Sequence, residues 1–167
     1  MTFLSFRRGY ERVLEGICVA LMVALAAEVV VGVAFRYSGH SLVWYDEVAT
    51  ILLAWVTFYG SALAVLKHAH MGVPEIVRML PPGPRVVAAV VAQLCTMAFF
   101  VLLAWVGYTT LEILASDRLV SLPEVSEAYA ISVMPIGAVL FVVGQLLVFP
   151  EVLREARREH GAAGVPA

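Results

Sequence analysis

Four long apolar stretches, Val13 to Phe35, Val48 to Leu66, Val86 to Ile113 and Ala130 to Phe149, occupy most of this chain. About 20 helical residues cross a hydrocarbon core of about 30 Å, so each stretch is long enough to span. Backbone inside lipid must satisfy its own hydrogen bonds, which only helices and closed barrels achieve. A barrel strand alternates apolar and polar positions over about ten residues, whereas these stretches are almost continuously apolar. Only 14% of the residues are charged, against about 25% in soluble domains. The sequence therefore predicts an all-α integral membrane protein with four transmembrane helices, spanning 13–35, 48–66, 86–113 and 130–149. Residues 1–167 read as a single four-helix membrane domain with tails at 1–12 and 150–167.

Charge placement orients the helices. Arg7, Arg8 and Arg12 precede the first span, Lys67, Arg78 and Arg85 lie between the second and third, and Arg154, Arg157 and Arg158 follow the fourth. The other two connections hold only Arg36 and Arg118. Basic loops stay cytoplasmic, so both termini are expected inside. Arg7, Arg8 and Arg12 ahead of an apolar run, with Ala24-Leu25-Ala26, resemble a signal peptide. The run resumes at Val29 and continues to Phe35, so a retained helix is the better reading.

The basic connection between the second and third spans carries a pattern of its own. Val73, Ile76, Val77 and Leu80 recur at i, i+3, i+4 and i+7, with Glu75 and Arg78 between them. Pro74 suits a first helical turn, and Pro81-Pro82-Gly83-Pro84 halts any helix. This predicts a short amphipathic helix on the cytoplasmic membrane surface.

Polar residues within the spans are few, and each has a bland and a sharp reading. Glu28 lies well inside the first span, where a carboxylate is paired, protonated or turned toward protein. It is expected to hydrogen-bond across a helix interface, with proton or cation handling as the sharper alternative. Gly16, Ala20, Ala24, Glu28, Gly32 and Arg36 follow at intervals of four, a spacing of small residues that admits a neighbouring helix. Asp46 and Glu47 open the second span, favourably for the helix dipole, and a latch from both to Arg36 across the short turn is expected. Gln93 and Gln145 suit interhelical hydrogen bonds, and Gly60 with Ala64, and Gly137 with Gly144, suit close packing. Trp44 and Tyr45 are natural interfacial anchors.

Several functions are excluded. No histidine lies mid-span, so haem ligation has no candidate pair, and His68-x-His70 is weak as a metal motif. Cys18 and Cys95 read as small apolar packing residues. No basic run favours nucleic acid. No phosphate loop, triad or metal-ligand cluster can be assembled, so neither an enzyme nor a bound metal or cofactor is expected.

From Phe35 to His70 the sequence resembles the small membrane subunit, the DctQ-like component, of tripartite ATP-independent periplasmic (TRAP) transporters. The resemblance is carried by Phe35-Arg36-Tyr37, Trp44-Tyr45-Asp46-Glu47, Trp55, Gly60-Ser61-Ala62 and His70, then by Leu80-Pro81 and Pro135-Ile136-Gly137. Asp46 stands where the family pattern often has glutamate. The resemblance implies a non-catalytic small permease subunit in a bacterial inner membrane, packed beside a large membrane subunit and surrounded by lipid. It also implies an extracytoplasmic solute receptor that delivers an organic acid, and a sodium gradient that drives the complex without binding to this chain. On that view Arg36, Trp44, Asp46 and Glu47 order the outer corner, Gly60 permits close packing, and His70 with Val73 to Leu80 sets the cytoplasmic surface. Two other readings stand beside it: a small proton-coupled multidrug-type exporter using Glu28, and a structural subunit of another membrane complex.

Overall fold

The computed structural model describes residues 2–40, 42–67 and 82–162. They form helices α1 (Thr2–Tyr37), α2 (Tyr45–Leu66), α3 (Pro82–Leu114), α4 (Glu127–Ile131) and α5 (Val133–Ala162). Four segments are long and apolar enough to cross a membrane: Ser5–Tyr37, Tyr45–Leu66, Val87–Leu114 and Glu127–Glu151. Among the described residues there is no β-strand, only an isolated bridge between Arg118 and Ser126. His68, His70 and the surface helix expected over Val73 to Leu80 lie outside the described residues.

The helix ends correct several expected boundaries. Residues 2–12 are not a separate segment but part of α1, which runs from Thr2. Leu14 is buried and Tyr10, four residues earlier, packs against the same core, so the packing face of the span continues backwards, while Phe6 is exposed. The helix also continues past 149 to Ala162, with Pro150 inside it. The proline run before the third span starts α3 at Pro82 instead of standing apart from it. A proline costs nothing in a first turn, whose N–H groups have no helical partner. The fourth span is broken at Ser132 into α4 and α5. Pro135 cannot donate to the Ile131 carbonyl four residues back, and the ladder resumes with Ile136 N–H to Ser132 O at 3.3 Å.

α5 lies between α2 and α3, and α1 packs on α2. We call distal the end carrying the connections 38–44 and 115–126, and proximal the end where α1 begins and α2 and α5 finish. Toward the proximal end α1 also meets α5. There Leu14, Ala62, Val65, Leu66, Phe141, Leu147 and Val148 form the buried core, and the Tyr10 hydroxyl donates to Leu140 O at 2.7 Å. Phe141 is fully buried and stacks on Phe100 of α3.

Close helix contact depends on missing side chains. A Cβ placed on Gly137 would lie 2.6 Å from Phe58 Cβ of α2, and one on Gly107 2.9 Å from Pro135 Cδ of α5. Pro135 and Gly137 thus seat α5 between its two neighbours. The Tyr45 ring occupies the space beside Gly32 in the same way, joining α1 to α2. Gly144 is an ordinary contact, 3.4 Å from Ala62 O by the same construction. Gly60 departs from expectation: a Cβ there meets nothing within 4 Å, so it brings no helix of this chain closer.

Overpacking a seated helix costs about 1–3 kcal/mol, so Gly137→Val should lower the melting temperature in detergent by several degrees. Gly60→Ala should leave it unchanged or slightly raised, alanine being the better helix former by about 1 kcal/mol. Differential scanning fluorimetry of the two variants checks both.

Candidate functional site

Four of the residues singled out from sequence, Arg36, Trp44, Asp46 and Glu47, gather at the distal corner. α1 closes there through a Schellman turn: Gly39 sits at φ +81°, its N–H reaches Arg36 O at 3.2 Å, and His40 N–H reaches Phe35 O at 3.1 Å. Glycine is needed at that left-handed position. Trp44, half-buried, immediately precedes α2 and its carbonyl accepts Val48 N–H at 3.1 Å. Asp46 and Glu47 occupy the first turn of α2, where negative charge offsets the unpaired N–H groups.

Glu47 does not latch onto Arg36. Its carboxylate accepts the backbone N–H of Val120 at 3.1 Å and of Ser121 at 2.8 Å, 73 and 74 residues away. Ser121 Oγ also donates to Val43 O at 3.3 Å. Arg36 and Asp46 are both exposed, and neither enters an ion pair among the described residues. The expected three-charge latch is therefore replaced by a clamp between the two distal connections. The physical reason is competition. Two convergent amides offer a carboxylate fixed, charge-assisted bonds, whereas an exposed arginine offers a pair weakened by solvent.

The clamped segment is itself ordered. Leu119 N–H donates to Val125 O at 3.1 Å, and Glu127 N–H to Asp117 O at 3.1 Å. Ser126 caps α4 by accepting Ala128 N–H at 3.3 Å while donating to Ala115 O. Just below, Trp55 donates its indole N–H to Ala130 O at 3.2 Å, tying α2 to the last turns of α4.

A second polar group closes the proximal end. The Arg7 guanidinium pairs with Glu151 of α5 and donates to Leu66 O at 3.1 Å, on the last residue of α2. One side chain thereby caps α2 and joins three helices. Lys67 pairs with Glu15 at 3.2 Å, an exposed bridge of about 0–1 kcal/mol. Arg7 is thus no tail residue, as its place before the first apolar run suggests. The signal that reveals it is its position one turn before Tyr10 and two before Leu14, on the same helix face.

Glu28 lies on the α1 face toward α2, yet its buried Oε1 finds no hydrogen-bond partner. The expected bond across the helix interface is absent for that oxygen, at a cost of about 1–3 kcal/mol. Gln93 Nε2 is likewise buried without a partner, against the interhelical bond expected of it. The row at intervals of four is divided. Gly32 is buried under Tyr45, while Gly16, Ala20, Ala24 and Arg36 are exposed. Of the two cysteines, Cys18 is buried and Cys95 exposed. Among the described residues, no group of three or more His, Cys, Asp or Glu side chains could hold a metal.

These features define a multi-pass helical membrane protein whose charged groups mostly gather at the two ends of its spans. The sequence matches the DctQ component of tripartite ATP-independent periplasmic transporters over residues 21–155, and the chain belongs to that family. Over 63 residues it is 32% identical to the C4-dicarboxylate TRAP transporter small permease protein DctQ of Vibrio cholerae, covering 38% of this chain and 27% of that protein. Over 140 residues it is 31% identical to the uncharacterized protein y4mM of Sinorhizobium fredii, covering 81% of this chain and 25% of that protein. The chain thus spans about a quarter of the length of the curated relatives it matches.

Bonds from amides to a charged acceptor contribute about 1.5–3 kcal/mol. Glu47→Ala should therefore lower thermal stability and open the 115–126 segment to protease, whereas Arg36→Ala should do neither. Limited proteolysis and melting curves of the two variants decide between the clamp and the latch.

Proposed function

We propose that this chain is the small permease subunit of a TRAP transporter and serves as the fixed partner of a large membrane subunit. The large subunit moves an organic acid inward on a cation gradient, after an extracytoplasmic receptor has delivered it. The observation that carries this reading is the family match across 135 of 167 residues. Alternating access requires one body to stay still while another moves. α5 seated by Pro135 and Gly137, with both ends of α2 tied by Glu47 and Arg7, gives this chain the stiffness for the first role. The name of the Vibrio cholerae relative makes C4-dicarboxylates the first substrates to test. Both termini face the cytoplasm on this reading, with the proximal end inside, because most of the basic residues fall there.

Affinity purification of the tagged chain from native membranes in mild detergent should recover a larger polytopic protein. Deleting the chain should abolish receptor-dependent uptake, and Glu28→Gln should preserve it. Purification as a homo-oligomer alone, together with loss of proton-coupled export in Glu28→Gln, would instead establish the exporter reading.

A further inference from the structure

The distal clamp fixes the height of a loop as well as its shape. α2 has 22 residues, about 33 Å at 1.5 Å per residue, close to the hydrocarbon thickness of about 30 Å. Set across a bilayer, α2 would carry its first turn at the boundary between acyl chains and headgroups. Glu47 stands in that turn and holds the amides of Val120 and Ser121. The 115–126 segment is thus bound to the helix end, at whatever depth that end takes. Two bare side chains project from this clamp: Val120 is 92% exposed and Val43 81% exposed. Ser121 Oγ bonds Val43 O, which joins the two connections that carry these valines. Tyr37 and Tyr129, both largely exposed, mark the distal ends of the first and fourth spans, the level that tyrosine favours in membranes.

We propose that Glu47 pins the distal loop at the bilayer surface so that Val43 and Val120 insert into the headgroup and acyl boundary of the distal leaflet. The occupant of this surface is lipid. Scattered exposed valines need no explanation, but two exposed valines on loops that a carboxylate and a hydroxyl bind to one helix end do.

The test places an environment-sensitive fluorophore at Val120→Cys, and separately at Val43→Cys, in the full chain carrying Cys18→Ala and Cys95→Ala. The protein is held in phosphatidylcholine–phosphatidylethanolamine nanodiscs. Quenching by lipids spin-labelled near the headgroup should be several-fold stronger at 120 and 43 than at a Glu124→Cys control. Quenching by aqueous iodide should show the reverse order. Glu47→Ala should transfer the label at 120 from lipid to iodide quenching, while a label at exposed Leu102 stays lipid-quenched and reports intact insertion. Iodide quenching at 120 and 43 equal to that at 124 would overturn the proposal. So would shielding from both quenchers, which would assign the valines to a protein surface. If Glu47→Ala fails to insert, the label at 43 beside the unaltered clamp still tests the proposal, by the same two quenchers.

Discussion

Lipid offers no hydrophobic force to hold one apolar helix against another, because a leucine is as comfortable among acyl chains as among other leucines. What remains is contact at short range. The described helices meet where a side chain is missing: Gly107 against Pro135, Gly137 against Phe58, and Gly32 under the Tyr45 ring. Two of these contacts converge on the first turn of α5, which explains why that helix occupies the middle of the assembly although it is fourth to cross. The Pro-Ile-Gly sequence does double duty. Proline breaks the incoming helix at Ser132 and fills the notch beside Gly107, and glycine two residues later receives Phe58.

Polar bonds complete what dispersion begins, and they sit where the chain leaves the hydrocarbon. At one end a carboxylate gathers two amides from a distant loop. At the other a guanidinium gathers a carboxylate and a helix-terminal carbonyl. In both cases a charged side chain satisfies backbone groups that have no helical partner, so two unmet needs cancel. Glu28 is the exception. Its buried oxygen lies in the α1–α2 seam without a donor, the one place among the described carboxylates where burial is not matched by bonding.

The spans were legible because a long, almost uncharged run has no other stable home, and the family resemblance because its motifs follow in order along much of the chain. The limits of legibility are equally physical. Glu47 was recognisable as a helix-opening acid, but its partners are backbone amides, which every residue but proline possesses and no sequence pattern marks. Arg36 lies nearest along the chain and attracts the assignment, although nearness in sequence says little once a loop 73 residues away folds over the same corner. Glycines show the same limit. Gly60 and Gly137 look alike in sequence, and only the neighbouring helix distinguishes a seat from an open notch. Arg7 was hidden because a charge before an apolar run reads as solvated, whereas here the helix simply starts earlier.

α2 is restrained at both ends, by the loop clamped to Glu47 and by the Arg7 cap on Leu66. A single spanning helix meets a thicker or thinner bilayer by tilting; α2, tied at both ends to its own bundle, tilts only together with it. Adjustment to bilayer thickness then falls to the bundle as a whole and to the lipid around it. In mechanical terms the unit that meets the membrane is the four-span body, not the single helix.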